Sequence, residues 1–317
     1  MTETLPSDLD IAVLIPCYNE AIAIPAVIAD FKAALPGARI YVFDNNSKDD
    51  TSGVAKAAGA IVRNEPLQGK GNVVRRMFSD IDADVYVMVD GDDTYDAASA
   101  PRLVAALLDD QRDMVVGARV DDANKDAYRF GHRFGNAMLT GLVGTLFGNR
   151  FGDMLSGYRV FSRRFVKSFP ALSAGFEIET ELNVHALELR MKTAEVDTPY
   201  KERPEGSVSK LSTYRDGIRI LRTIGFLVKE ERPLQFFSAL FGVLVLLALG
   251  LGLPVLLDFM RTGIVDRFPT AILSMVLVLM AFLSLACGLI LDTVTTGRRE
   301  IKRLSYLSQP APAAHPE

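Results

Sequence analysis

Val85-Tyr86-Val87-Met88-Val89-Asp90-Gly91-Asp92-Asp93 is the stretch whose reading decides the fold. The apolar run Val85–Val89 has the length and β-branched content of a buried strand, and it ends in carboxylates. Asp90 and Asp92 stand one residue apart, with Gly91 between them to allow a tight backbone turn. Two carboxylates so placed can hold a hard divalent cation, Mg²⁺ or Mn²⁺, that also grips phosphate oxygens. The same run, Asp90-Gly91-Asp92-Asp93-Thr94, also suits a plain turn leading into a helix.

Working outward towards the N-terminus, Ile11–Ile15 reads as another buried strand, ending in Pro16-Cys17-Tyr18-Asn19-Glu20, where proline is expected to stop the ladder. A helical pattern over Ile22–Leu35, a Pro36-Gly37 turn and a strand over Arg39–Phe43 follow, and that strand ends in Asp44-Asn45-Asn46-Ser47. Thr51–Ala58 reads as helix and Ala60–Val62 as a short strand, after which Gly69-Lys70-Gly71 opens the next helix. That loop could cradle a phosphate at a helix N-terminus. It lacks the spacing of a G-x-x-x-x-G-K-[ST] loop, and a surface glycine-lysine turn reads equally well.

Beyond the acidic turn, Ala100–Asp109 reads as helix and Met114–Gly117 as a strand leading to Arg119. Strands alternating with helices predict a doubly wound, mainly parallel α/β sheet, whose ligands gather at the carboxyl ends of the strands. Arg129–Gly148 is amphipathic, with Arg129, His132 and Arg133 at one end. The loop Asp153-Met154-Leu155-Ser156-Gly157 opens into a strand over Tyr158–Phe161, and the helix Glu177–Leu189 begins with Glu177, Glu179 and Glu181. Stabilisation of the helix start by its dipole would alone explain those glutamates. Thr193–Val196 reads as a late strand, followed by a loop carrying Lys201, Arg203, Ser207, Ser209 and Lys210.

The C-terminal third differs in kind. Leu234–Leu257 and Thr270–Leu291 contain no Asp, Glu, Lys or Arg, and each is longer than the roughly 20 residues a membrane-spanning helix needs. Only Asp258–Pro269 separates them, so they form a hairpin whose flanks share one compartment. Lys229, Arg232, Arg298, Arg299, Lys302 and Arg303 flank the spans, which by the positive-inside rule places the soluble part in the cytoplasm. Tyr214–Val228 sets an apolar stripe beside Arg215, Arg219 and Arg222, the pattern of a helix in the headgroup region. Nothing at the N-terminus reads as a cleavable signal. Cys17 falls in the soluble part and Cys287 in a span, so no disulfide is expected between them. The expected division is 1–211 catalytic, 212–232 juxtamembrane, 233–292 membrane hairpin (spans 234–257 and 270–291) and 293–317 basic tail with a disordered end. With 317 residues and a formal charge of −4 the chain has enough length for a full α/β core, and the balance argues against a nucleic-acid partner.

Taken in order, these segments resemble membrane-attached family-2 glycosyltransferases of the polyprenyl-phosphate, dolichol-phosphate mannose synthase-like type. The motifs that carry the resemblance are Pro16-Cys17-Tyr18-Asn19-Glu20, Asp90-Gly91-Asp92, Asp153 with Ser156-Gly157-Tyr158-Arg159, and Arg203 with Gly206-Ser207-Val208-Ser209-Lys210. The resemblance implies a GT-A, Rossmann-like fold with a mixed sheet, interfacial helices and a two-helix anchor. It implies a nucleotide site at Pro16, Tyr18, Asn19, Glu20, Asp44 and Asn46, with Gly69, Lys70, Asp90 and Gly91 beside it, and Mg²⁺ or Mn²⁺ on Asp90 and Asp92. Arg119, Arg129, Arg133, Arg203, Ser207, Ser209 and Lys210 would face the acceptor phosphate, and Asp153 would orient the sugar or act as a base. The implied reaction moves a hexose from a nucleotide diphosphate to a polyprenyl phosphate, with inversion, at the inner or plasma membrane of a prokaryote. Asp93-Thr94-Tyr95-Asp96 departs from the Asp-Ala-Asp-Leu-Ser form of mannose-transferring relatives, which favours a UDP-sugar over GDP-mannose.

The chemistry agrees with those residue types. Two anionic groups about 4 Å apart repel by roughly 4 kcal/mol at an effective dielectric of 20, so arginines and a cation are needed to bring them together. A lipid phosphate is already ionised and needs no general base; a sugar hydroxyl would, and would draw attention to Glu177 and Glu181 instead. A processive polysaccharide synthase would carry a Gln-x-x-Arg-Trp motif, and this chain has no tryptophan. A non-catalytic membrane scaffold would show no metal-dependent nucleotide-sugar binding. A dinucleotide oxidoreductase is disfavoured because no G-x-G-x-x-G follows the first strand. The two-helix anchor is compatible with a homo-oligomer.

Overall fold

A computed structural model describes residues 5–6, 8–120, 141, 152–175, 177–201, 203, 229–230 and 232–312. Arg129, Arg133, Ser207, Ser209 and Lys210 lie outside them, as does the interfacial helix read over Tyr214–Val228. The chain divides into two compact units, Met1–Gly217 together with Lys302–Glu317, and Ile218–Ile301.

The first unit is built on seven strands: β1 (Ile11–Cys17), β2 (Arg39–Asp44), β3 (Ile61–Asn64), β4 (Val85–Met88), β5 (Met114–Val120), β6 (Arg159–Ser162) and β7 (Thr193–Pro199). They form one sheet in the order β3-β2-β1-β4-β6-β5-β7. All pairings are parallel except those of β6, which runs antiparallel to both β4 and β5. The expected mixed α/β sheet is therefore present, with one reversed strand beside the central β4. Helices α1 (Ile24–Ala34), α2 (Thr51–Ala57), α3 (Lys70–Asp80), α4 (Ala100–Asp109), α5 (Arg163–Ser168) and α6 (Ile178–Glu188) connect the strands.

The periodicity explains the layering. Val13, Ile15, Val85, Val87, Val89, Val115 and Val160 turn one sheet face onto Ile24, Val27, Ile28 and Phe31 of α1 and Leu103, Val104 and Leu107 of α4, all buried in one core. Strands coated on both faces need no polar alternation, and β4 is buried along its whole length.

Several boundaries move. Pro16 does not end β1: the strand continues to Cys17 in parallel register with β2, Pro16 opposite Phe43 and Cys17 opposite Asp44. β5 runs past Gly117 and takes Arg119 into the sheet, and β7 extends to Pro199. α5 was not foreseen. Its six residues are too few to show a period, and its one sequence signal is Ser162, whose side chain caps the helix by accepting from the Phe165 N–H.

In the second unit the two apolar runs lie within helices α7 (Pro233–Thr262) and α8 (Phe268–Leu307), both longer than the runs themselves. Both are long and apolar enough to cross a membrane. Small residues let them meet closely: a Cβ on Gly288 would lie 2.8 Å from Phe237 Cβ, and Ser284 Oγ donates to the Phe237 carbonyl at 3.2 Å. Gly263, at φ 74°, ends α7 in the left-handed conformation that favours glycine. The second helix does not stop at Leu291 but continues through the basic stretch to Leu307. From Lys302 onward it belongs to the first unit. There the Lys302 ammonium lies 2.7 Å from the buried Glu188 carboxylate, the Tyr306 hydroxyl donates to Asp113 Oδ2 at 3.0 Å, and the Arg164 guanidinium sits 4.8 Å from the Tyr306 ring centre.

Candidate active site

The carboxyl ends of β1, β2 and β4 lie side by side, and the polar residues that follow each strand knit together. Asn19, at φ 55°, donates its N–H to Ser47 Oγ at 2.9 Å and accepts from the Lys48 N–H at 2.7 Å. The Glu20 N–H donates to Thr51 Oγ1 at 2.9 Å. Asp44 is buried and accepts from the Ser47 N–H (2.9 Å) and from Ser52 Oγ (2.6 Å). Asn46 reaches across to the Pro66 carbonyl at 2.8 Å. The expected nucleotide residues Pro16, Tyr18, Asn19, Glu20, Asp44 and Asn46 thus fall on one edge of the sheet.

Asn45 was not singled out from the sequence, yet it holds the next loop. Its amide donates to the Glu65 and Leu67 carbonyls at 2.9 and 2.8 Å, and its oxygen accepts from the Gly69 N–H at 2.7 Å. A buried asparagine that satisfies three backbone groups fixes a loop that no apolar contact could fix.

The Gly69-Lys70-Gly71 loop differs from its sequence reading. The N–H groups of Gly71 and Asn72, at the start of α3, both point at the Ala174 carbonyl, at 3.0 and 3.4 Å, so this turn does not offer them to a phosphate. The glycines are needed for close approach: a Cβ on Gly69 would lie 2.2 Å from the Ala174 oxygen, and one on Gly71 2.1 Å from the Ser173 oxygen. What the loop presents is the Lys70 ammonium, 2.6 Å from Asp90 Oδ1 and 2.7 Å from Glu179 Oε1. Burial by itself would lower the lysine pKa, but Asp90 and Glu179 outweigh it and push it up.

In the acidic turn, Gly91 needs no unusual dihedral; it is Asp93 that adopts φ 57°. Gly91 is required because a Cβ there would lie 2.6 Å from Cys17 Sγ. Asp92 is buried, accepts from Thr94 Oγ1 at 2.6 Å, and faces the Arg203 guanidinium at 2.6 Å. Arg203 is brought there by main-chain pairing, since Tyr95 and Tyr200 form an antiparallel bridge and the Lys201 N–H donates to the Thr94 carbonyl at 2.8 Å. Asp90 packs against bare backbone, where a Cβ on Gly157 would lie 2.3 Å from its Oδ2. The Gly157 N–H donates in turn to the Tyr95 hydroxyl at 2.8 Å.

Asp153 and Arg119 form a two-point pair, Nε to Oδ2 at 2.7 Å and Nη2 to Oδ1 at 2.8 Å. Burial would raise the Asp153 carboxyl, but the Arg119 hydrogen bonds and charge hold it below its usual range. A carboxylate so held is a poor proton acceptor near neutral pH, which weakens the base reading, and with both oxygens on Arg119 it orients that guanidinium. The Arg119 guanidinium also lies 5.5 Å from the Tyr200 ring centre. Arg159, which the motif shares with Ser156 and Gly157, is fully buried. It donates to the Ser156 and Met154 carbonyls and to Asn183 Oδ1, all within 2.9 Å, and so serves as the frame of the loop.

Asp90 and Asp92 offer hard oxygen donors, and each already faces a cationic side chain. Among the described residues no three His, Cys, Asp or Glu side chains converge into a complete metal cage. Two carboxylates fit a Mg²⁺ or Mn²⁺ ion that takes its remaining ligands from phosphate oxygens and water.

Residues 12–169 match the family described as Glycosyl transferase family 2. The glycosyltransferase AglJ of Haloferax volcanii is 33% identical over 305 residues, 96% of this chain and all of that one. The chain belongs to glycosyl transferase family 2. A second relative, a dolichyl-phosphate hexose transferase of the same organism, is 30% identical over 223 residues, 70% of this chain and 96% of the relative. Among solved structures, glucosyl-3-phosphoglycerate synthase from Mycobacterium tuberculosis in complex with Mn²⁺ and UDP-glucose superposes with a TM-score of 0.58 at 22% identity, covering 70% of this chain and 79% of that one. That likeness shows the GT-A fold. The protein is a family-2 glycosyltransferase, and its two apolar helices are candidate membrane spans.

Proposed function

We propose that this glycosyltransferase moves a hexose from a nucleotide diphosphate, a UDP-sugar in preference to GDP-mannose, to a polyprenyl phosphate at the cytoplasmic leaflet of the membrane. The observation that carries the reading is the Arg203–Asp92 pair, which sets a guanidinium of the segment ahead of the apolar helices against the acidic turn at 2.6 Å. Support comes from the dolichyl-phosphate hexose transferase relative and from the Mn²⁺ and UDP-glucose held by the mycobacterial synthase of the same fold.

The acceptor phosphate oxygen attacks the anomeric carbon on the face opposite the diphosphate. The bond from that carbon to the diphosphate oxygen breaks, its electron pair leaves with the nucleotide, and the configuration inverts. A divalent cation on Asp90 and Asp92 would neutralise charge as it develops on the departing diphosphate. Lys70 would add a fixed positive charge on the same side. Arg119 and Arg203, with Arg129, Arg133, Ser207, Ser209 and Lys210 beyond the described residues, would hold the acceptor phosphate. Asp153 would orient Arg119, and no group of the chain needs to remove a proton.

The test incubates membranes containing the protein with UDP-glucose, UDP-galactose, UDP-N-acetylglucosamine or GDP-mannose, a short polyprenyl phosphate, and Mn²⁺ or Mg²⁺. The expected result is an acid-labile, lipid-soluble glycosyl phosphate with one donor. Transfer to a sugar hydroxyl with none to the lipid phosphate would overturn the acceptor.

A further inference from the structure

Two of the glutamates at the start of α6 do different things. Glu179 pairs with Lys70, whereas Glu181 turns back to the chain: its Oε1 accepts from the Leu172 N–H and its Oε2 from the Ser173 N–H, both at 2.8 Å. Those N–H groups belong to the short segment whose next carbonyl, that of Ala174, receives the N–H groups of Gly71 and Asn72. The segment is otherwise weakly held. Leu172 is 60% exposed, and Ala171 stands at φ 47°, in the left-handed region that favours glycine.

We propose that Glu181 is a positioning residue for the Lys70 ammonium, acting through the backbone of residues 172–174 and touching neither substrate nor metal. Each link is a named contact. The carboxylate fixes the 172–174 segment. The Ala174 carbonyl receives the first turn of α3, and the missing side chains of Gly69 and Gly71 allow that contact, their Cβ positions lying 2.2 and 2.1 Å from the segment's oxygens. The lysine between those glycines reaches Asp90 and Glu179. A carboxylate can accept from two adjacent N–H groups with its two oxygens, as a glutamine cannot, because one of its terminal atoms is a donor. The helix dipole would be served by any acidic residue in this turn, but only one at this position also secures the loop opposite.

This inference rests on the reading that Lys70 serves the nucleotide diphosphate, and the experiment separates the two. Glu181→Gln and, as an independent break of the same bridge, Gly71→Ala are purified in detergent as the full chain. Two quantities are measured well below the melting temperature: affinity for UDP with Mn²⁺ by calorimetry, and acetylation of Lys70 by an N-hydroxysuccinimide ester, read by mass spectrometry against Lys32 and Lys48 of the same molecule. The expected result is a rise of about fivefold or more in relative Lys70 labelling in both variants, with a comparable loss of UDP affinity and an unchanged KM for the lipid acceptor. Unchanged Lys70 labelling in Glu181→Gln would overturn the proposal, as would a rise shared equally by Lys32 and Lys48, which would report general loosening. If the wild-type protein binds no UDP, the parent reading fails, while the labelling still decides whether Glu181 places Lys70.

Discussion

The Arg203 guanidinium and the Asp92 carboxylate lie 2.6 Å apart, so a cation of the chain already sits against a carboxylate proposed to hold a divalent ion. The two compete for one carboxylate. Replacing Arg203 with Ala removes the competitor, and a partly exposed pair of this kind is worth about 1 kcal/mol. The Mn²⁺ concentration for half-maximal UDP binding should then fall about fivefold, while lipid transfer declines because the acceptor phosphate loses a ligand. Asp92→Asn keeps the bond from Thr94 but loses the charge, and should cut transfer by about 100-fold or more with the fold intact. Steady-state rates and metal titrations of both variants check these opposite signs.

Lys70 neutralises two carboxylates at once, and its side chain and that of Glu179 are only 9% and 10% exposed. Lys70→Met should lower stability by about 3–5 kcal/mol, the usual cost of leaving buried charge uncompensated. The double variant Lys70→Met, Glu179→Gln should recover part of it. Thermal or denaturant unfolding of the three proteins measures the coupling.

His185 is 1% exposed, with Nε2 3.0 Å from Ser168 Oγ and its ring against Phe165 and Phe169. Burial, with a smaller contribution from Lys302, pushes its pKa down to about 3. The unfolded chain protonates this imidazole at about 6.5, before the folded one does. Stability is therefore complete above pH 6.5 and falls on acidification by about 1.4 kcal/mol per pH unit until pH approaches the folded value. Melting curves between pH 7 and 4 should show a steeper decline for the wild type than for His185→Gln.

Tyr306 joins the end of α8 to Asp113, which is fully buried and also accepts from Ser162 Oγ and Arg164. Tyr306→Phe keeps the ring under Arg164 and removes one hydrogen bond, for an expected loss of about 1 kcal/mol. Removing residues 302–317 also takes the Lys302 ammonium from Glu188 and should destabilise the sheet-bearing unit by more than twice that. Hydrogen exchange in β5 and α5 is the readout.

Much of this fold was legible because β1, β2 and β4 are apolar on both faces and punctuated by polar ends. Val85–Val89 followed by Asp90 located the central strand and the acidic turn within one residue. Arg203 and Arg119 stand out through their charge, and the structure pairs them with Asp92 and Asp153; their part at the acceptor phosphate is a proposal. Asn45, Glu179 and Tyr95 escaped because their importance lies in pairing with residues 20 to 110 positions away, which no local period encodes. The phosphate-cradle reading of Gly69-Lys70-Gly71 missed for a related reason: glycines that permit a loop to face a ligand equally permit it to face another stretch of backbone, here Ser173-Ala174. Arg129, Arg133, Ser207, Ser209 and Lys210 still stand as proposals.

Lys302 and Tyr306 complete a body whose first strand is only the eleventh residue of the chain, so the apolar hairpin is, in order of synthesis, an insertion within that body. Both greasy helices leave the ribosome before the lysine and tyrosine that seal it. The sheet-bearing body therefore gains its last contacts only after both apolar helices have been made.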